Sequence, residues 1–176
     1  FKDFRPAPGL LRNADFRKLW GSFTITTFGS QITNLALPLT AALLLHASPW
    51  QMGVLVALEV LPFGLLGLFA GVWIDRGSKL RIVIASEIGR GAALLIVPLA
   101  AFTDWLSMPV LYFAGFAVGA GNAIGGAAAQ VLMTQMVGRE RLIEANAKIV
   151  LGENAAQLTG PGIAGWLIQV FTAPFA

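Results

Sequence analysis

The sequence predicts an all-α fold, a polytopic bundle of membrane helices, from three observations. Of its 176 residues, 56% are hydrophobic and 12% are charged, with a mean hydropathy of +0.73, whereas soluble proteins are about a quarter charged. All but one of the twelve lysines and arginines fall within residues 2–18, 76–81 and 139–148, and the stretches between them are apolar except near residues 46–51 and 103–109. The five tryptophans lie near the ends of those stretches, as expected for indole rings at the headgroup interfaces.

Five segments are long enough to cross a hydrocarbon core about 30 Å thick, which takes about 20 helical residues. They lie at residues 19–45, 51–74, 82–102, 109–136 and 143–171. The runs are continuous and lack the alternation that is typical of a lipid-facing strand, which favours helices over a barrel.

The positions of the basic residues predict how these helices are threaded. Because basic connectors remain on the cytoplasmic side, the N-terminus and the connectors after the second and fourth spans are expected there. Residues 1–18 then form a cytoplasmic N-terminal segment, and residues 19–176 form transmembrane helices one to five. The chain starts at Phe1 and ends after an odd number of spans, so we expect a fragment of a longer protein.

The same composition argues against several other functions. The net charge of +3 and the pI of about 9.8 come mainly from the segments flanking the spans, which indicates topology and contact with the lipid bilayer rather than nucleic-acid binding. Without cysteine, and with His46 as the single histidine, the chain offers no histidine or thiolate metal site, and we expect neither a metal nor a cofactor. The glycine-rich residues 119–126 lie inside an apolar helix without the strand that a dinucleotide site needs. No catalytic constellation is present, so we do not expect an enzyme.

Small residues recur along the second and fourth spans. In the second span they are Gly53, Ala57, Gly64, Gly67 and Gly71, and in the fourth span they are Gly115, Gly119, Gly121, Gly125 and Gly126. Small side chains at such spacing let helix backbones approach closely in lipid. Both spans are therefore expected to pack tightly through these glycines.

Four charged residues lie inside the spans and outside the basic segments 2–18, 76–81 and 139–148, at positions where a charge is costly to remove from water and indicates function. They are Glu59, Glu87, Arg90 and Glu153. Each is a candidate for proton coupling or substrate binding. Glu59 lies about 13 Å along its helix from Trp50 and about 24 Å from Asp75, with no basic residue within a turn. Glu87 and Arg90 are three residues apart and can pair on one helix face, either as a structural clamp or as a site in which Arg90 holds an anionic group.

Six amide side chains are candidates for lining a polar cavity. They are Gln31, Asn34, Asn122, Gln130, Asn154 and Gln157. The last two lie close to Glu153 and extend a polar stripe on the fifth span. A single amide side chain can equally form a hydrogen bond between two helices. For each residue, cavity lining and interhelical hydrogen bonding therefore both remain open.

The connector between the second and third spans reads GVWIDRGSKLR, residues 71–81. It resembles the signature loop of the major facilitator superfamily. The matching residues are Gly71, Asp75, Arg76, Lys79 and Arg81, whereas Ser78 and Leu80 depart from the pattern. The resemblance implies a conformational-switch loop, in which Asp75 forms an ion pair between helices that breaks in the alternate conformation. A plain topology signal is the other interpretation.

The fifth span contains the stretch LTGPGIAGW, residues 158–166, which resembles the helix-five motif of exporters in that superfamily. Gly160, Pro161 and Gly165 match the motif, whereas Ala156 and Ala164 replace glycines. Pro161 removes a backbone donor and is expected to bend the helix. In the family this motif is associated with export by antiport.

Three further stretches resemble the macrolide-efflux and enterobactin-exporter type of bacterial drug and metabolite exporters. They are NADFRKLW at residues 13–20, GSQITNLALP at residues 29–38 and RLIEANA at residues 141–147. Ser30 replaces an acidic residue that is common in the first helix of that branch.

The resemblance implies most of the N-terminal six-helix half of a twelve-helix transporter, with the C-terminal half missing and a binding site near the midplane. The implied function is proton-coupled export of drugs or small metabolites by alternating access, with a small molecule and protons as partners, in the cytoplasmic (inner) membrane of a bacterium. An importer or facilitator of a small metabolite is the alternative among carriers. A channel or a non-transporting membrane subunit is the alternative from another class.

Overall fold

The computed structural model describes Leu10 and residues 14–171, and the regular elements among these residues are all helices. The long helices are α1 Ala14–Leu43, α2 Pro49–Arg76, α3 Lys79–Phe102, α4 Met108–Val137 and α5 Leu142–Phe171, with a short 3-10 turn at Arg139–Arg141 before α5. The predicted all-α fold is confirmed, and each predicted span coincides with one helix. Residues 1–9 and 11–13 of the predicted N-terminal segment lie outside the described part of the chain.

Local sequence signals set the start of α2 and the end of α4. The Ser48 hydroxyl accepts from the Gln51 N–H at 3.3 Å, and the Gln51 Oε1 accepts from the Ser48 N–H at 2.8 Å, which is a capping box. Pro49 follows in the first turn, where its missing donor is not needed. α4 ends at Gly138, whose φ of 73° is easily reached only without a side chain.

Within the described residues, three helices contain a stretch that is long and apolar enough to cross a membrane by length and composition. The stretches are Pro49–Gly67 in α2, Lys79–Phe102 in α3 and Met108–Val137 in α4. α1 and α5 have 30 residues each but are more polar. Several hydroxyls of α1 each donate to the carbonyl oxygen four residues earlier, which spares them the cost of an unpaired polar group in lipid. These residues are Thr24, Thr27, Ser30 and Thr33.

α4 lies at the centre of the bundle between α2 and α3, whereas α1 packs mainly against α5 and less extensively against α4. An apolar cluster joins α1, α2, α3 and α4 at one end, and a second cluster joins α1, α4 and α5 at the other. The first contains Leu37, Ala41, Leu55, Val97, Met108, Leu111 and Ala114, and the second contains Leu10, Phe16, Met133 and Ala145. Large apolar side chains such as Leu158 and Ile25 remain exposed on the outside, as expected for a surface that faces lipid.

Four of the five glycines named in α4 confirm the tight packing predicted for the fourth span, whereas a Cβ added at Gly126 would meet nothing within 4 Å among the described residues. A Cβ added at Gly115 or Gly119 would contact Glu59 of α2, and one added at Gly121 or Gly125 would contact α3. Two pairs of glycines, four residues apart in each pair, therefore let two neighbouring helices approach the α4 backbone.

The second span also packs closely against α4, but its own glycines do not form that contact. A Cβ added at Gly53, Gly64, Gly67 or Gly71 would meet nothing within 4 Å among the described residues. α2 approaches α4 through residues such as Leu55 and Glu59, so the close contact uses the glycines of α4 and leaves those of α2 on another face.

A stripe of small residues on α5 supports its contact with α1. Gly152, Ala156, Gly160 and Ala164 are all buried, and their spacing of four residues puts them on one helix face. A Cβ added at Gly160 would lie 2.7 Å from the Cβ of Gln31 on α1. The helix-five motif therefore begins with a glycine that the packing against α1 requires.

Candidate functional site

A polar cavity of about 170 Å³ lies between α1, α3 and α4. It occupies the first half of α1, the first half of α3 and the second half of α4, which is the end of the bundle that carries the basic connectors. Its lining combines apolar, hydroxyl, amide and charged side chains with the glycines of α4. The lining residues are Leu19, Ser22, Phe23, Thr26, Thr27, Ser30, Val83, Glu87, Arg90, Gly121, Asn122, Gly125, Gly126 and Ala129.

Arg90 connects the three helices that form this cavity. Its Nη2 lies 3.3 Å from Oε2 of Glu87 on the same helix, and its Nη1 donates to Oδ1 of Asn122 on α4. The Thr26 hydroxyl of α1 donates to the same Glu87 Oε2 at 3.2 Å. The Arg90 side chain is 10% exposed and that of Glu87 is 35% exposed, so the arginine is the more buried partner.

These contacts decide what the cluster can do chemically. Arg90 does not release its proton in proteins, and both of its terminal nitrogens already hold acceptors. Glu87 has an ion-pair partner and a hydroxyl donor, and both contact its Oε2. The cluster is therefore a fixed polar wall that also ties α1, α3 and α4 together.

Glu59 lies outside this cavity, on α2, against another face of α4. Its Oε1 is fully buried and has no hydrogen-bond partner among the described residues. α4 cannot supply a charged partner, because Met108–Val137 contains no Asp, Glu, Lys or Arg. The charged form of a carboxyl group has a high free energy in apolar surroundings when no hydrogen-bond donor or cation is near.

Of the six amides predicted as cavity-lining candidates, Asn122 lines this cavity. Gln31 instead packs against Gly160 of α5, and Gln130 is exposed at the edge of a smaller apolar cavity of about 20 Å³. Asn34 is exposed on α1. On α5 the small-residue stripe faces α1, so Asn154 and Gln157 are exposed and Glu153 is half-buried.

Two contacts at the site were not predicted from the sequence. Thr26 belongs to a run of hydroxyl residues in α1, and nothing in the sequence distinguishes it from Thr24 or Thr27, which bond their own helix. The approach of Gly115 and Gly119 to Glu59 was also missed. Their spacing predicted a close helix contact without indicating which residue of which helix would fill it.

The predicted conformational-switch loop joins α2 to α3 through Gly77 and Ser78. A Cβ added at Gly77 would lie 3.0 Å from both Ile82 Cδ1 and the Trp73 carbonyl oxygen, so the turn is tight. Lys79 Nζ donates to the backbone carbonyl of Asp75 at 3.5 Å.

The interhelical ion pair expected for Asp75 is not formed among the described residues. Asp75, Arg76 and Arg81 are all exposed at the end of the bundle, and Lys79 binds backbone rather than the Asp75 carboxylate. The role of this loop as a switch remains a prediction. In the helix-five motif, α5 continues through Pro161, and a Cβ added at Gly165 would meet nothing within 4 Å among the described residues.

Long apolar helices that surround a partly exposed ion pair and a cavity are the features of a multi-pass membrane protein. Residues 19–176 match the family model of the Major Facilitator Superfamily, and the chain belongs to that superfamily. It is therefore related to transporters of small molecules rather than to enzymes.

A relative extends this comparison. The chain is 29% identical over 175 residues to the uncharacterized MFS-type transporter YfiS of Bacillus subtilis (strain 168). The alignment covers 96% of this chain and 38% of that relative, so the chain spans well under half of the relative's length. No solved structure matches the chain.

Proposed function

We propose that this chain is the N-terminal part of a secondary transporter that exports a drug or small metabolite by alternating access, driven by protons. One observation carries the proposal. Two carboxyl groups on helices that flank α4 have opposite surroundings: Glu87 is held in an ion pair on a cavity wall, and Glu59 has a buried oxygen without a partner. Because the chain belongs to a transporter superfamily, we assign Glu87 to a fixed surface that contacts the substrate. We assign Glu59 to an acid that gains and loses a proton.

The cavity supplies the substrate-facing surface in this proposal. Arg90, Glu87 and Asn122 fix its polar part, and Phe23 and Val83 contribute apolar surface, a combination typical of small-molecule sites. The chain spans 38% of the length of its relative. We therefore propose that a second half of the same protein completes the site near the bilayer midplane.

Glu59 is the proposed proton-coupling residue, and Glu153 is the second candidate. An ionisable group inside a membrane helix that neither pairs nor reaches the surface is a functional hypothesis by default. Glu153 is half-buried on α5 and makes no ion pair among the described residues. Glu59 is preferred because its buried oxygen has no hydrogen-bond partner.

The direction of transport, the branch and the orientation rest on sequence resemblance. The helix-five motif with Gly160, Pro161 and Gly165 supports export by antiport, and the stretches at residues 13–20, 29–38 and 141–147 support the macrolide-efflux and enterobactin-exporter branch. The basic connectors support a cytoplasmic N-terminus in a bacterial inner membrane. The loop from Gly71 to Arg81 is the proposed conformational switch.

The test uses the complete protein that contains this chain, reconstituted in liposomes with a radiolabelled macrolide or with enterobactin. A proton-coupled exporter should show saturable exchange between labelled and unlabelled substrate, and an imposed proton gradient should drive substrate against its own gradient. In energised cells it should lower the internal concentration of the compound. Accumulation in cells would support an importer instead, and a current that rises linearly with voltage without saturation would support a channel. Either result would contradict the proposal.

A further inference from the structure

α2 and α4 approach each other closely at Glu59. A Cβ added at Gly119 would overlap the carbonyl oxygen of Glu59, and it would lie 2.9 Å from the Glu59 carbonyl carbon and 3.2 Å from its Cα. All three atoms belong to the backbone, so no change of side-chain rotamer relieves the overlap. Any residue larger than glycine at position 119 must therefore push α2 and α4 apart.

Gly115, one turn earlier, makes room for the side chain of the same residue. A Cβ added there would lie 3.2 Å from Cγ and 3.6 Å from Oε1 of Glu59, and 3.1 Å from Cδ1 of Leu55. The two glycines thus accommodate both the backbone and the carboxyl group of Glu59. This surface of α4 offers the carboxyl group no side-chain donor, because glycine has none.

The charged groups of the surrounding helices do not reach Glu59. α4 has no charged residue, and on α3 Glu87 and Arg90 bind each other, Thr26 and Asn122. The described charged residues of α1 lie in its first turns, at the end of the bundle that carries the basic connectors. The Glu59 Oε1 is accordingly both buried and unpartnered.

We propose that Gly119, together with Gly115, is the positioning residue for Glu59: the glycine pair lets α4 bury the Glu59 Oε1 and keeps that oxygen away from water and from hydrogen-bond donors. This inference rests on the proposed proton-coupling role of Glu59. Asn122, which holds Arg90 on the cavity wall, is three residues further along α4. The helix that shields the proposed proton site thus also carries part of the cavity.

The test compares two carbodiimides on the complete protein in liposomes at one fixed pH. Dicyclohexylcarbodiimide enters lipid and modifies carboxyl groups in dry surroundings, whereas a water-soluble cationic carbodiimide modifies those that water reaches. Mass spectrometry of peptides that contain Glu59 gives the extent of each modification. In the natural sequence, we expect Glu59 to react with the lipid-soluble reagent and to resist the water-soluble one.

Gly119→Ala should raise the reaction of Glu59 with the water-soluble reagent severalfold, because separation of α2 from α4 admits water. Gly115→Ala should give a smaller rise, because its Cβ would meet the ends of flexible side chains. Gly64→Ala is the matched control: it is the same substitution on the helix of Glu59, at a position where an added Cβ meets nothing within 4 Å. It should leave the pattern unchanged.

Three results would overturn the inference. They are an unchanged pattern in folded Gly119→Ala, an equal change in Gly64→Ala, and free reaction of natural Glu59 with the water-soluble reagent. If Gly119→Ala does not fold, Gly115→Ala decides the question in the same way. Because labelling requires no transport, a failed coupling role for Glu59 remains distinguishable from failed positioning by Gly119.

Discussion

Glu59 and Glu87 are the same residue type and belong to two helices, α2 and α3, that both pack against α4, yet their surroundings are opposite. Glu87 accepts from Arg90 and Thr26, whereas Glu59 has a buried oxygen with no partner. The paired carboxylate is a fixed charge that holds helices together. The unpaired one has nothing to hold it in the charged form.

The difference originates in α4, which presents a distinct surface to each neighbour. Toward α3 it offers Asn122 together with Gly121 and Gly125, so the Arg90 side chain can lie close and donate to an amide. Toward α2 it offers only glycine and apolar residues at the level of Glu59. One helix without charges can therefore lie between an ion-paired carboxylate and a carboxyl group with a buried, unpartnered oxygen.

Removal of the Glu87 partner should have the largest effect on stability. Arg90→Ala leaves a carboxylate and the Asn122 amide without their cation and donor. We expect the free energy of unfolding to fall by about 3 kcal/mol, at the lower end for a broken buried pair because Glu87 is 35% exposed. Chemical unfolding of the complete protein in detergent micelles measures the loss.

Glu59→Gln is the contrasting variant for that experiment, since it removes no ion pair. Its free energy of unfolding should change by less than about 1 kcal/mol. Equal losses in Arg90→Ala and Glu59→Gln would mean that the two carboxyl groups are not held differently.

A smaller effect is expected from the second partner of Glu87. Thr26→Val keeps the branched shape but removes the hydroxyl that donates to Oε2, and it should lower the free energy of unfolding by about 1 kcal/mol. Thr27→Val is the matched control, because the Thr27 hydroxyl donates to the Phe23 carbonyl of its own helix. Thermal unfolding should separate the two variants, and indistinguishable values would remove Thr26 from the cluster.

Much of the fold could be predicted because it follows from chain composition. The apolar runs and basic connectors predicted five helices within a few residues of their observed bounds, and the three-residue spacing of Glu87 and Arg90 allowed the pair that forms. These features depend on residues that are close in sequence. The relative positions of residues that are close in sequence follow from the regular rise and turn of one helix.

The contacts between helices could not be predicted in the same way. The glycines of α2 and α4 recur at similar spacings, yet four of those in α4 contact other helices, and those of α2 meet nothing within 4 Å in the described part of the chain. The sequence shows which residues share a face but not which face meets which neighbour. The same limit explains why Thr26, Gly115 and Gly119 were missed as parts of the site.

The central claim is a division of roles, in which Glu59 responds to protons and Glu87 maintains the cavity. The most direct measurement compares Glu59→Gln with Glu87→Gln in liposomes, in both substrate exchange and transport driven by a proton gradient. We predict that Glu59→Gln continues to exchange substrate but no longer responds to the gradient, whereas Glu87→Gln loses affinity in both assays. A Glu59→Gln protein that follows the gradient like the natural one, or a Glu87→Gln protein that alone loses that response, would contradict the claim.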